Sequence, residues 1–223
     1  FYGRDGIYGH RADQGFDDNA ARFSLLSRGA FQLCRMLHWM PDIIHCHDWP
    51  AAPACYLLKK EEQARGFTDT KSVLTIHNIG YQGIFALDDA LFLQPETDMI
   101  QLSTLEFSGA LNFLKAGIMT ADKITTVSPT YAEEIKQPGF GFNMDGLLNY
   151  RSQDLVGILN GIDYDDWNPE TDTYIAPDNY SAGDLSGKAA VKKKLQTKMG
   201  LEVKPDLPLV GMVSRLVDQK GIR

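Results

Sequence analysis

The side chains of this chain that could do chemistry stand in short polar clusters: His47 with Asp48, His77 with Asn78, Ser128, Asn160, and Ser214 with Arg215. Imidazole and carboxylate groups hold or move protons, and guanidinium and ammonium groups hold phosphate oxygens. Arg215 and Lys220 lie five residues apart around the turn Leu216-Val217-Asp218-Gln219, a spacing that lets both reach one diphosphate, and Gly221 permits close backbone approach. Each cluster also has an ordinary reading. A strand-end histidine can sit in a surface turn, an aspartate at a helix start is usually a cap, and an Arg and Lys pair is commonly solvated. His45, Cys46 and His47 do not make a compact metal site, because on a strand Cys46 faces away from the two histidines. Neither a Gly-x-Gly-x-x-Gly nor a Walker sequence is present, and there is no nucleophile elbow.

These clusters share a position in the chain: each follows a short apolar run. Ser72-Val73-Leu74-Thr75-Ile76 changes at its end into the polar, glycine-punctuated His77-Asn78-Ile79-Gly80-Tyr81-Gln82-Gly83. Asp42 to His47, Ile124 to Val127, Leu155 to Leu159 and Leu207 to Val213 repeat the pattern of strand and polar tip. Between them the spacing predicts helices over Ala20–Met40, ended by Pro41, over Ala51–Lys60, Leu105–Met119 and Ser186–Met199, and a short one over Tyr131–Lys136 introduced by Pro129. Strands alternating with helices predict βαβ units and a mostly parallel sheet, whose tips then line one crevice at the carboxyl edge, where open α/β sheets bind ligands. Tyr164 to Asn179, rich in Asp, Pro, Asn and Tyr, reads as linker or irregular loop.

The 223 residues are 43% hydrophobic and 23% charged, which excludes a disordered chain, and the net charge of -7 with scattered Lys and Arg argues against a nucleic-acid surface. Lys188, Lys192, Lys193, Lys194 and Lys198 are spaced as the solvated face of a helix. Cys34, Cys46 and Cys55 form no Cys-x-x-Cys pair and read as core residues in a reducing compartment. No apolar run spans a bilayer and no signal-peptide pattern opens the chain.

The segments Phe1 to Phe23, His45-Cys46-His47-Asp48-Trp49, Thr75 to Gly83, Phe113-Leu114-Lys115-Ala116-Gly117, Thr126 to Ala132, Gly157 to Asp163 and Val213 to Gly221 resemble, in order and at compatible spacing, the bacterial glycogen synthase and plant starch synthase family. The resemblance covers nearly the whole chain. It implies a GT-B fold, two Rossmann-like domains across a cleft, and transfer of glucose from ADP-glucose to the non-reducing end of an α-1,4-glucan such as glycogen, with retention and without a metal or other cofactor. It implies that Asp48 and His77 lie beside the transferred glucose and that Arg215 and Lys220 hold the donor diphosphate. Asn78 and Asn160 would line the same pocket, with Tyr8, Tyr81 and Gln82 as further substrate-binding residues. Cations preorganised at the phosphates stabilise a departing diphosphate directly.

On this resemblance residues 1–165 correspond to most of the first, acceptor-side domain, 166–205 to a linker and helix, and 206–223 to the start of the nucleotide-sugar domain. The family's glycine-rich amino-terminal segment and the rest of its second domain are expected outside this stretch, so the piece is expected to be inactive alone. Pro50 stands where the family commonly has a histidine, and no role is carried onto it. A bacterial cytoplasmic location is implied, or a plastid in a plant. Competing readings are a related GT-B transferase using another nucleotide sugar, a non-catalytic glucan-binding module offering Tyr8, Trp49, Tyr81 and Trp167, and a regulatory protein on an inactive transferase fold.

Overall fold

The computed structural model describes residues 2–10, 15–93, 103–214 and 216. Strands β1 (Ile43–His47), β2 (Lys71–Ile76), β6 (Lys123–Thr126) and β7 (Leu155–Gly157) form one sheet in the order β1-β2-β6-β7, and every neighbouring pair is parallel. The register sets His47 opposite Thr75 and Thr75 opposite Thr125. All four carboxyl ends therefore lie along one edge, as the repeated strand-and-tip pattern predicts.

Helices connect the strands: α1 (Asn19–Met36), α2 (Asp48–Leu57), α3 (Phe113–Thr120), α4 (Pro129–Glu134) and α5 (Asp145–Tyr150). α2 and α3 pack so closely that a Cβ on Gly117 would sit 2.7 Å from the Ala52 Cβ and 3.0 Å from Leu74 Cδ2. A side chain there would separate the helices from the sheet. Leu74, Ile76, Ile79, Ile124, Leu114 and Ile118 are fully buried in this core, and the free thiols of Cys34, Cys46 and Cys55 are buried too. The hydrogen bond with the neighbouring Cys46 thiol, and then burial, push the Cys55 thiol well up, which makes it an inert core group.

Three elements differ from their sequence expectations. α1 stops at Met36 and not at Pro41, because His38 takes a positive φ of 50°, with its amide on the Arg35 carbonyl and the Trp39 amide on that of Cys34. These two bonds close the helix without the proline. The helix expected over Leu105–Met119 is interrupted: Leu105 ends a short helical stretch, and the helix proper begins at Phe113. Between the two lies a hairpin of β4 (Glu106–Phe107) and β5 (Ala110–Asn112), joined to β3 (Ile84–Phe85) in a small antiparallel sheet. Ser108 and Gly109 at the hairpin tip both have positive φ, 54° and 84°, the backbone that a two-residue hairpin turn requires. Finally, Leu207 to Val213 forms no strand. Val210 and Val213 are exposed, and no strand among the described residues lies beside them to share a hydrogen-bond ladder.

The chain divides into two compact units, Phe1–Asn160 and Gly161–Arg223. In the second, Asp163, Asn168 and Asp172 each accept a hydrogen bond from the backbone amide two residues on, which shapes the irregular stretch Tyr164 to Asn179. Helix α6 (Ser186–Lys198) is anchored there by Lys192, whose ammonium donates to the Pro205 carbonyl at 2.7 Å, and by the Lys194–Asp178 ion pair. Lys192 and Lys194 are therefore tied down, although their spacing reads as a solvated face. No helix among the described residues is long and apolar enough to cross a membrane.

Candidate functional site

The carboxyl edge of the parallel sheet is built around Asp48, the first residue of α2. Its φ of 54° is in the left-handed region, which Asp tolerates better than most residues and which needs surrounding contacts to persist. Those contacts come from the loop after β2. The His77 amide donates to Asp48 Oδ1 at 2.7 Å, and the Asn78 amide approaches the same oxygen at 3.4 Å. The next amide, Ile79, donates at 3.1 Å to the Tyr131 hydroxyl on α4. Three successive backbone donors are thus held by α2 and α4, which fixes the loop that carries His77 and Asn78. Burial, the largest influence, raises the Tyr131 phenol above its ordinary range, and the nearby Asp48 carboxylate adds to the rise.

The side chains at this edge separate into presented and committed ones. His77 is exposed, and its Nε2 stands 3.0 Å from His47 Nδ1. Asn78 Oδ1 accepts the Gly80 amide at 3.0 Å, so this amide side chain shapes the turn as well as facing the edge. Tyr81 is exposed. Tyr8 is half exposed, with its ring 5.6 Å from that of Trp49 and 5.8 Å from that of Phe23. Asn160 is exposed beyond β7, and Ser128 caps α4 by accepting the Tyr131 amide at 2.9 Å.

Gln82 is turned inward, contrary to the expectation that its side chain meets substrate. It is 7% exposed, its Nε2 donates to the Phe142 carbonyl at 3.0 Å, and its Oε1 accepts from Asn112 Nδ2 at 2.8 Å. A buried amide with its capacity used in this way holds a loop and leaves nothing for a ligand. Trp49 is half-buried against the core, edge-on to Phe23 at 4.7 Å and to Phe85 at 5.7 Å. Arg215 and Lys220 lie outside the described residues.

Sequence reasoning assigned nothing to Thr75, Thr125, Tyr131 or Asn112. The strand alternation that puts Thr75 on the face of His77, and His45 on the face of His47, is legible in the sequence, but which of these meet across strands is decided by register. Among the described residues no group of three or more His, Cys, Asp or Glu side chains is placed to hold a metal ion.

With this geometry in hand, the likenesses to known proteins are specific. Residues 1–150 match the family described as the starch synthase catalytic domain. A glycogen synthase of Treponema denticola is 48% identical over 223 residues, covering 99% of this chain and 45% of its own length. One from Bacillus subtilis is 45% identical, covering 100% of this chain and 45% of its own. The chain thus spans about half the length of the curated relatives it matches. Among solved structures, the catalytic domain of starch synthase IV from Arabidopsis thaliana, bound to ADP and acarbose, superposes with a TM-score of 0.78 at 35% identity, covering 94% of this chain and 43% of that one.

Proposed function

Since this chain belongs to the family of the starch synthase catalytic domain, with the α/β, GT-B-type fold of that family, we propose that the full-length protein carrying it is a glycogen synthase. It transfers glucose from ADP-glucose to the non-reducing end of an α-1,4-glucan with retention at the anomeric carbon. One observation carries this reading: three of the four parallel strands, β1, β2 and β7, deliver Asp48, His77 with Asn78, and Asn160 to one edge, and Asp48 ties the loop that presents His77. The ADP carried by the starch synthase IV structure supports a nucleotide-sugar donor.

In this mechanism the diphosphate leaves from the face on which the acceptor hydroxyl attacks. Arg215 and Lys220 balance the negative charge growing on the leaving group, and His77 and Asn78 orient the glucose. Asp48 is assigned to holding the loop that carries His77, since its Oδ1 accepts the His77 amide at 2.7 Å and is approached by the Asn78 amide at 3.4 Å. A leaving-group oxygen then serves as the base for the acceptor hydroxyl. Tyr8 and Tyr81, exposed aromatic groups, supply faces for sugar rings, whereas Trp49 is half-buried against Phe23 and Gln82 acts by holding its loop. Residues 1–165 are assigned to the acceptor-side domain, 166–205 to a linker and helix, and 206–223 to the start of the nucleotide-sugar domain. The enzyme acts in the bacterial cytoplasm.

The test is donor competition on the full-length protein with glycogen as acceptor. ADP-glucose is expected to outcompete UDP-glucose and to give a product cleaved by α-1,4-specific hydrolases. Preference for UDP-glucose would replace this reading with a related transferase of another donor, and no transfer from either would leave a glucan-binding or regulatory protein.

A further inference from the structure

One face of the parallel sheet carries a row of polar side chains that the roles above leave unused. Thr125 of β6 and Thr75 of β2 share a hydrogen bond between their hydroxyls at 2.6 Å. The Thr75 hydroxyl also meets His45 Nε2 of β1 at 2.7 Å. The His45 ring lies against that of His47, centroids 4.3 Å apart and planes tilted by 30°. His47 Nδ1 in turn meets His77 Nε2 at 3.0 Å. The row runs from the sheet interior, where Thr75 is 9% exposed, to the exposed His77 at the tip.

We propose that His47 is the positioning residue of His77: its ring fixes the rotamer that His77 presents at the edge and couples the tautomer of His77 to its own. This rests on the reading of His77 as lying beside the transferred glucose. An exposed histidine at a loop start is otherwise free to turn about two torsions and to exchange tautomers. A bond between two imidazole nitrogens removes the first freedom and makes the two rings change tautomer together. One nitrogen must donate and the other accept, so the pair holds one proton between them and the two rings take matching tautomers, both Nε2–H with His77 donating or both Nδ1–H with His47 donating. His45, anchored by Thr75, supports the His47 ring from behind.

The arrangement has a built-in acid limit. The groups facing His47 are His45 on its own strand, His77 on the loop after β2, and Asp48 at the start of α2. Desolvation first, then the like charges of His45 and His77, hold His47 below the usual histidine range, while Asp48 pulls the other way. Near neutral pH the ring is therefore neutral and able to share the proton. When both rings are protonated, both nitrogens are donors and the bond is lost.

The test uses the full-length protein with His47→Ala and His47→Asn, the latter placing an amide group near the position of Nδ1. Two readouts are taken: the His77 ring tautomer from long-range proton–nitrogen NMR, assigned by loss of the signal in His77→Gln, and the pH profile of kcat with ADP-glucose and glycogen. In His47→Ala, the tautomer ratio of His77 is expected to change. There kcat should fall about tenfold, the loss expected for one hydrogen bond between neutral groups, while KM stays within about twofold. His47→Asn should recover most of kcat with a less steep acid limb. An unchanged His77 tautomer in His47→Ala would overturn the pairing itself. A changed tautomer with unchanged kcat would leave the pairing standing and overturn the role of His77 in the transfer.

Discussion

Gly83→Ala gives the sharpest structural test, because its cost can be worked from two separate sources. Gly83 has a φ of 63°, and a Cβ built on it would lie 2.5 Å from Trp49 Cε3 and 2.8 Å from Trp49 Cδ2. Left-handed backbone costs an L-residue about 1–2 kcal/mol, and forcing a methyl into a packed ring costs about 1–3 kcal/mol more. Reduced freedom of the unfolded chain offsets about 0.4–1 kcal/mol of this. The net loss is about 1.5–4 kcal/mol. Gly109 isolates the two sources: its φ is 84°, but nothing lies within 4 Å of the added Cβ. Gly109→Ala should therefore cost about 1 kcal/mol, the backbone share alone. Urea titrations of both variants, followed by circular dichroism, measure the difference. Trp49 follows Asp48 directly, so the same push displaces the carboxylate that holds His77, and Gly83→Ala should lose transfer activity as well where Gly109→Ala keeps it. Equal stability loss in the two variants would refute the Trp49 contact.

Further expectations follow from single contacts. Gln82→Leu leaves the buried Asn112 amide and the Phe142 carbonyl without their partner and should cost about 2–4 kcal/mol in the same titration. Asp48→Asn keeps an acceptor for His77 and tolerates positive φ, so it should cost about 1 kcal/mol, whereas Asp48→Ala leaves the amides unheld and should cost about 2–4 kcal/mol. Because the folded-state value of His47 is depressed, acidification protonates this residue in the unfolded chain first. Stability from this group is present above the ordinary histidine value of about 6.5 and is lost as pH falls below it. Tm should accordingly drop between pH 7.5 and 5.5 more steeply in the parent than in His47→Gln.

The parallel sheet was legible because each buried strand is a short apolar run ending abruptly in polar residues, as Ser72–Ile76 does before His77. The same rule failed at Leu105–Phe113, where apolar residues continue on both sides of Ser108-Gly109 and mask the turn signal of that dipeptide. Propensity favoured one helix there, and pairing with Ile84–Phe85 favoured a hairpin. At Leu207 to Val213 the apolar pattern alone suggested a strand, but a strand also needs a neighbour. The candidate site was partly legible. Asp48, His77 and Asn78 were placed at the edge by the end of their strands, while the inward turn of Gln82 depends on Asn112 and Phe142, distant in sequence. The His47–His77 contact depends on register between β1 and β2, which no single strand's pattern contains.

The most direct measurement is transfer of labelled glucose from ADP-glucose to glycogen by the full-length protein, compared with folded Arg215→Ala, Lys220→Ala and His77→Ala variants. Transfer by the parent is expected, with a loss of at least about a hundredfold in each variant, the scale of removing one preorganised group from a developing charge. Transfer at the parent's rate by Arg215→Ala and Lys220→Ala, or none by the parent itself, would contradict this expectation.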